Sequence, residues 1–122
     1  MATRPLVSIV DDDESIRESL PDLLDQLGFE VNAFASAEGF LSSDIGQTRC
    51  LILDVAMPRM SGPDLQRELK IRGIEIPIVF ITATEDHTIR PHLIELGAVD
   101  CLFKPFSDTA LLEAVRTALR VT

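Results

Sequence analysis

Four short apolar runs each end in a polar group of a kind that phosphoryl chemistry uses: SIVDDD at 8–13, LILD at 51–54, VFIT at 79–82 and LFKP at 102–105. Between these runs the apolar spacing changes to the helical repeat, as in Ile16, Leu20, Leu23, Leu24 and Leu27, so the chain alternates strand with helix. The pattern predicts strands over 6–10, 30–34, 50–54, 77–81 and 99–103. The first, third and fourth are almost wholly apolar, as strands of a parallel sheet covered on both faces must be.

Helical core faces are also predicted from Leu65 and Leu69, from Ile89, Leu93 and Leu96, and from Leu111, Leu112, Val115, Ala118 and Leu119. Gly28, Gly73 and Gly97 each follow a helical pattern and precede a strand, where a left-handed residue ends a helix. Ser61 and Asp64 have capping-box spacing, and Ser107 is placed to cap the last helix. Pro21 predicts a kink in the first helix. Pro91 distorts the fourth helix or delays its start unless it lies in the first turn.

Such alternation gives right-handed crossovers, and the expected fold is α/β: one flavodoxin-like, doubly wound domain over 1–122, (βα)5, with a five-stranded parallel sheet in the order 2-1-3-4-5. Sheets of this kind bind ligands beyond the carboxyl ends of the strands, where strand order reverses. In that order the reversal lies between the first and third strands. These are the two runs that end in carboxylates, at Asp11–Asp13 and at Asp54, so the acids are expected in the crevice.

Composition narrows the function further. The 122 residues are 46% hydrophobic, enough for a single core, and no apolar stretch approaches the roughly 18 residues of a membrane span. The opening MATRPLVSIV passes straight into a strand pattern without the apolar region of a secretory signal, so cytoplasmic residence is expected. A net charge of −9 disfavours direct nucleic-acid binding by this domain. Cys50 and Cys101 sit in strand patterns far apart in sequence and are read as buried thiols, neither a zinc site nor a disulfide framework. Phe34, Phe40 and Phe80 are read as core, His87 and His92 as solvated helix positions, and Met57, Pro58 and Met60 as parts of a turn.

Taken in order, DDD after the first strand, LILDVAMPRMSG around the third, ITA after the fourth and FKPF after the fifth resemble the receiver domains of bacterial two-component response regulators. The GAVD and KPF segments resemble the subgroup that includes the nitrogen-fixation regulators. The resemblance covers essentially the whole chain. It implies a phosphorylation-controlled switch in which Asp54 takes a phosphoryl group from a sensor histidine kinase. It also implies a Mg²⁺ site, with manganese able to substitute, made by Asp11, Asp12, Asp54 and the backbone carbonyl of Ala56. Lys104, the Thr82 hydroxyl and the Ala83 N–H would hold the phosphoryl oxygens, and the Lys104–Pro105 bond would be cis. The face made by the fourth helix, fifth strand and fifth helix would carry the output, including a phosphorylation-dependent homodimer and control of transcription through an effector.

Taken singly, each of these residues has a plainer explanation. The acids at 11–14 suit a helix start, Asp54 a turn, Thr82 a strand end, and Lys104 the surface. Their joint placement after four apolar runs argues for the pocket. One departure concerns the switch, which in the family pairs the threonine with a Tyr or Phe three positions before the lysine. Here that position is Cys101, whose thiol cannot make the same movement. Two other readings stay open: a receiver-like interaction module that works without phosphorylation, and a phosphatase with an aspartate nucleophile. The second lacks the carboxylate such enzymes carry two residues on, since that position is Ala56.

Overall fold

The computed structural model describes residues 4–120. In chain order they form β1 (Leu6–Val10), α1 (Glu14–Gln26), β2 (Glu30–Phe34), α2 (Ala37–Leu41), a 3-10 turn (Ile45–Gln47), β3 (Thr48–Asp54), α3 (Gly62–Ile71), β4 (Ile78–Thr82), α4 (Ile89–Glu95), β5 (Asp100–Phe103) and α5 (Asp108–Arg120). All strand pairs are parallel, and the sheet order is β2-β1-β3-β4-β5. The expected reversal therefore falls between β1 and β3.

Because side chains alternate along a strand, the sheet separates two cores. Val7, Ile9, Cys50, Ile52, Val79 and Ile81 face α1 and α5, meeting Leu20, Leu24, Leu111 and Val115. Val10, Leu51, Leu53, Phe80 and Cys101 face the other way, toward Phe40, Leu65, Leu69 and Leu93. Full burial of a side chain such as Leu24, Leu65 or Leu111 stabilises the fold by about 1.5–3 kcal/mol. The two cysteines lie in different cores, on opposite sides of the sheet, as free buried thiols.

Helix ends follow the local chemistry. Asp13 caps α1 by accepting from the Ser15 N–H, and Ser61 and Asp64 form the reciprocal capping box of α3. Ser107 Oγ accepts from the Ala110 N–H at the start of α5. Gly28, Gly73 and Gly97 follow α1, α3 and α4 with φ of 100°, 71° and 111°, in the left-handed region that glycine enters without steric cost.

Several details differ from the sequence-based expectation. Strand β3 starts two residues early, at Thr48, whose hydroxyl lies 2.7 Å from Ser8 Oγ on β1 and gives the strand a polar pairing that hydropathy does not reveal. Strand β4 starts one residue late because Pro77 has no N–H for the ladder, although its carbonyl still accepts from Leu51 N–H. Helix α2 is only five residues long, too short to impose a visible period. Helix α1 continues through Pro21 as one element. Pro91 occupies the first turn of α4, where a missing N–H breaks no helical bond. Leu96 is not core: it lies past the end of α4 and is 43% exposed. His87 is not helical either, but sits in the turn before α4 with its ring stacked on Phe103.

Candidate functional site

The carboxyl ends of β1, β3, β4 and β5 bring five side chains into one crevice. Strand β1 delivers Asp11, which is fully buried and whose N–H reaches the Phe34 carbonyl as though continuing the pairing with β2. Its carboxylate is held from two sides. Asp13 N–H donates to Oδ1 at 2.8 Å, and Lys104 Nζ donates to Oδ2 at 2.8 Å. Arg17 also donates to its backbone carbonyl at 3.0 Å. Asp12 follows on the exposed rim.

Strand β3 ends in Asp54, which is only 6% exposed. One carboxylate oxygen from each of Asp11, Asp12 and Asp54 lies within 4.8 Å of the others. Burial raises the Asp54 carboxyl from 3.8 to about 7, and the Asp11 charge adds to the rise while Lys104 opposes it. Hydrogen bonds shared with Asp11 and Asp12 push in the same upward direction.

Strand β4 ends in Thr82, 2% exposed, whose Oγ1 accepts from the Thr84 N–H at 3.2 Å. The Thr82 carbonyl accepts from Lys104 N–H at 2.8 Å, which fixes the end of β5 against the end of β4. The Lys104–Pro105 bond is cis, and the Lys104 side chain is 17% exposed.

Behind Asp54 the chain turns through a loop containing Arg59, at φ 68°, and returns to Gly62, the first residue of α3. Gly62 N–H donates to the Val55 carbonyl at 2.9 Å. A Cβ at this position would lie 2.9 Å from Phe80 Cε1 and nearer still to the Asp54 carbonyl oxygen. Only glycine lets α3 approach so closely, so Gly62 helps set where Asp54 sits.

Three carboxylates facing one cation leave the cluster with an excess of negative charge. All its donors are hard oxygens, a set that fits Mg²⁺ or Mn²⁺ and not a thiophilic metal. Ala56 and Ala83 are exposed residues that follow β3 and β4 by two positions and one. Cys101 lies apart from the acids, buried in β5 opposite Phe80, with its thiol pushed up to about 11 chiefly by burial. His92 is exposed on α4. An open groove leads from Asp13 and Lys104 along Ile16, Leu20, Leu23 and Phe106, between α1 and the start of α5.

Sequence reasoning did not find Gly62, nor the contacts that run from Thr82 toward α4. The alternation Thr82, Thr84, Asp86, Thr88 was the available signal, since such residues bond backbone N–H groups two positions on.

Comparison with known proteins agrees with this geometry. A family profile described as the response regulator receiver domain matches residues 7–116. The response regulator protein TmoT of Ectopseudomonas mendocina is 46% identical over 118 residues, covering 95% of this chain and 53% of TmoT. The transcriptional regulatory protein FixJ of Azorhizobium caulinodans is 40% identical over 114 residues, covering 93% of this chain and 54% of FixJ. The chain thus spans about half the length of these curated relatives. Among solved structures, FixJ-N superimposes with a TM-score of 0.87 at 39% identity, covering 100% of this chain and 98% of FixJ-N. Among the described residues no helix is long and apolar enough to cross a membrane.

Proposed function

The chain belongs to the response regulator receiver family of two-component signalling, and on that premise we propose that Asp54 is its phosphoacceptor, served by a sensor histidine kinase. The observation that carries this reading is the convergence of Asp11, Asp12 and Asp54 with Thr82 and Lys104 at four strand ends.

In the proposed step an Asp54 carboxylate oxygen attacks the phosphorus of a phosphohistidine. A P–O bond forms as the P–N bond breaks, and the electron pair leaves on the imidazole nitrogen. Lys104 exchanges its contact with Asp11 for a phosphoryl oxygen. The Thr82 hydroxyl and the Ala83 N–H donate to the remaining oxygens. Receiver domains generally use Mg²⁺ at such an acidic pocket. Here Asp11, Asp12, Asp54 and the Ala56 carbonyl would hold it, and when bound it neutralises charge on the phosphoryl oxygens. The groove beside Asp13 and Lys104 would give a partner helix an apolar footing at the edge of the crevice.

The acquired phosphoryl group adds about −1.5 to −2 charges at a buried site and biases the domain toward a form with an altered face at α4, β5 and α5. That face would support a phosphorylation-dependent homodimer and, in a longer cytoplasmic protein, control of a transcriptional effector. Incubation with Mg²⁺ and acetyl phosphate, followed by intact mass, should give one phosphoryl adduct that is absent from Asp54→Ala. No adduct from acetyl phosphate or from a cognate kinase would refute the reading. It would favour instead a phosphorylation-independent interaction module, the alternative to which the buried Cys101 lends support.

A further inference from the structure

The segment between Thr82 and α4 contains a connection that does not involve residue 101. Thr82 Oγ1 accepts from Thr84 N–H at 3.2 Å, and Thr84 Oγ1 accepts from Asp86 N–H at 3.1 Å. Asp86 Oδ1 then accepts from both the N–H and the hydroxyl of Thr88, at 3.1 and 2.6 Å. Each rung spans two residues, so a ladder of side-chain-to-backbone bonds runs from the crevice to the residue that starts α4. From this ladder the His87 ring lies flat on Phe103, centroids 4.1 Å apart and planes within 7°. Phe103 is the register partner of Thr82 and immediately precedes Lys104. The loop is therefore fastened to both strands that carry the proposed phosphoryl-binding side chains.

Helix α4 has few attachments of its own. It is seven residues long, and Leu93 is its one buried residue. Thr88 makes no side-chain capping bond to it, and one N–H that could have donated to such a cap is missing because the third helical residue is Pro91. The Thr88 hydroxyl is used by Asp86 instead. Arg90 donates to Asp100 Oδ1 from Nε at 3.1 Å and from an Nη at 2.8 Å, a partly exposed contact that ties the start of α4 to β5. Leu93, the Arg90 contact to Asp100 and the loop before it are thus what hold α4 in place. Cys101, by contrast, is a small side chain 1% exposed in a filled core, with no ring to move.

We propose that His87 and Phe103 are positioning residues of the switch, and that the 82–88 ladder with its ring stack, rather than the side chain at 101, carries the state of Thr82 to α4. This rests on the phosphoacceptor reading above. When the Thr82 hydroxyl turns to a phosphoryl oxygen, the Thr84 N–H loses its acceptor. That rung is already at the long end of the N–H···O range, so it is the first to go. The later rungs shift with it, and the His87 stack limits where the loop can settle.

The test compares wild type, His87→Ala, His87→Phe and Cys101→Ala, each with and without Mg²⁺ and acetyl phosphate. Intact mass reads the adduct, and hydrogen exchange reads peptides spanning residues 83–96. His87→Ala should form the adduct as wild type does, exchange about two- to tenfold faster in this segment before loading, and lose the change caused by loading. His87→Phe, which keeps a flat ring, should restore the loading response, and Cys101→Ala should retain it. A wild-type loading response in His87→Ala, or its loss in Cys101→Ala alone, would overturn the proposal. Absence of an adduct in wild type would overturn the phosphoacceptor reading first and this one with it.

Discussion

Replacing Asp54 with Asn should stabilise the metal-free protein, by an amount that grows with pH. In the unfolded chain this carboxyl titrates near 3.8, whereas burial and the Asp11 charge raise it to about 7 in the fold. Between those values the folded state keeps a proton that the unfolded state releases. The contribution of this carboxyl to stability is therefore greatest below 3.8, falls as pH rises toward 7, and levels off beyond. A rise of about three in pKa, at about 1.4 kcal/mol each, sets a ceiling of about 4 kcal/mol. Asn has nearly the same shape and no charge, so the variant should lack this slope. We expect Asp54→Asn to exceed wild type by about 1–4 kcal/mol near pH 8, the difference closing at acid pH. The chain has no Trp and no Tyr, so urea unfolding in EDTA should be followed by far-UV circular dichroism. Adding Mg²⁺ should narrow the difference by stabilising wild type alone. A pH-independent difference, or a variant less stable than wild type near pH 8, would show that Asp54 is not held against repulsion.

Two further perturbations address the same crevice. Gly62→Ala places a Cβ 2.9 Å from Phe80 Cε1 and against the Asp54 carbonyl; it should cost about 1–3 kcal/mol in urea unfolding and slow adduct formation, and a neutral substitution would mean that α3 can retreat freely. Lys104→Met removes the 2.8 Å partner of the buried Asp11 and should destabilise the metal-free protein by about 2–4 kcal/mol. Mg²⁺ should recover most of that loss, and a thermal shift no larger than that of wild type on adding Mg²⁺ would count against the charge balance described.

The sheet was readable because its evidence is redundant. Val7, Ile9, Ile52 and Ile81 form part of one buried face, and any one of them could change without hiding the strand pattern. Asp11, Asp54, Thr82 and Lys104 were readable as strand-end residues, since the order of a parallel sheet turns four separate sequence positions into one place. Details that depend on single contacts were not. Thr48 joins β3 through one hydroxyl pair, Leu96 is shed because α4 stops at Glu95, and Gly62 matters for an approach between segments that sequence spacing does not encode. The stacking of His87 on Phe103 joins residues 16 positions apart, with Pro91 obscuring the helix between them.

Burial of both cysteines leaves the surface chemically silent toward thiol reagents. Burial pushes the Cys50 thiol up to about 12 and the Cys101 thiol up to about 11, so at neutral pH both are held in the unreactive thiol form. A single cysteine introduced on the exposed side of α4, at His92 for instance, would be the only thiol a maleimide dye finds. The wild-type chain, with both of its cysteines buried, thus already serves as the background for attaching an optical reporter to the helix whose movement is at issue.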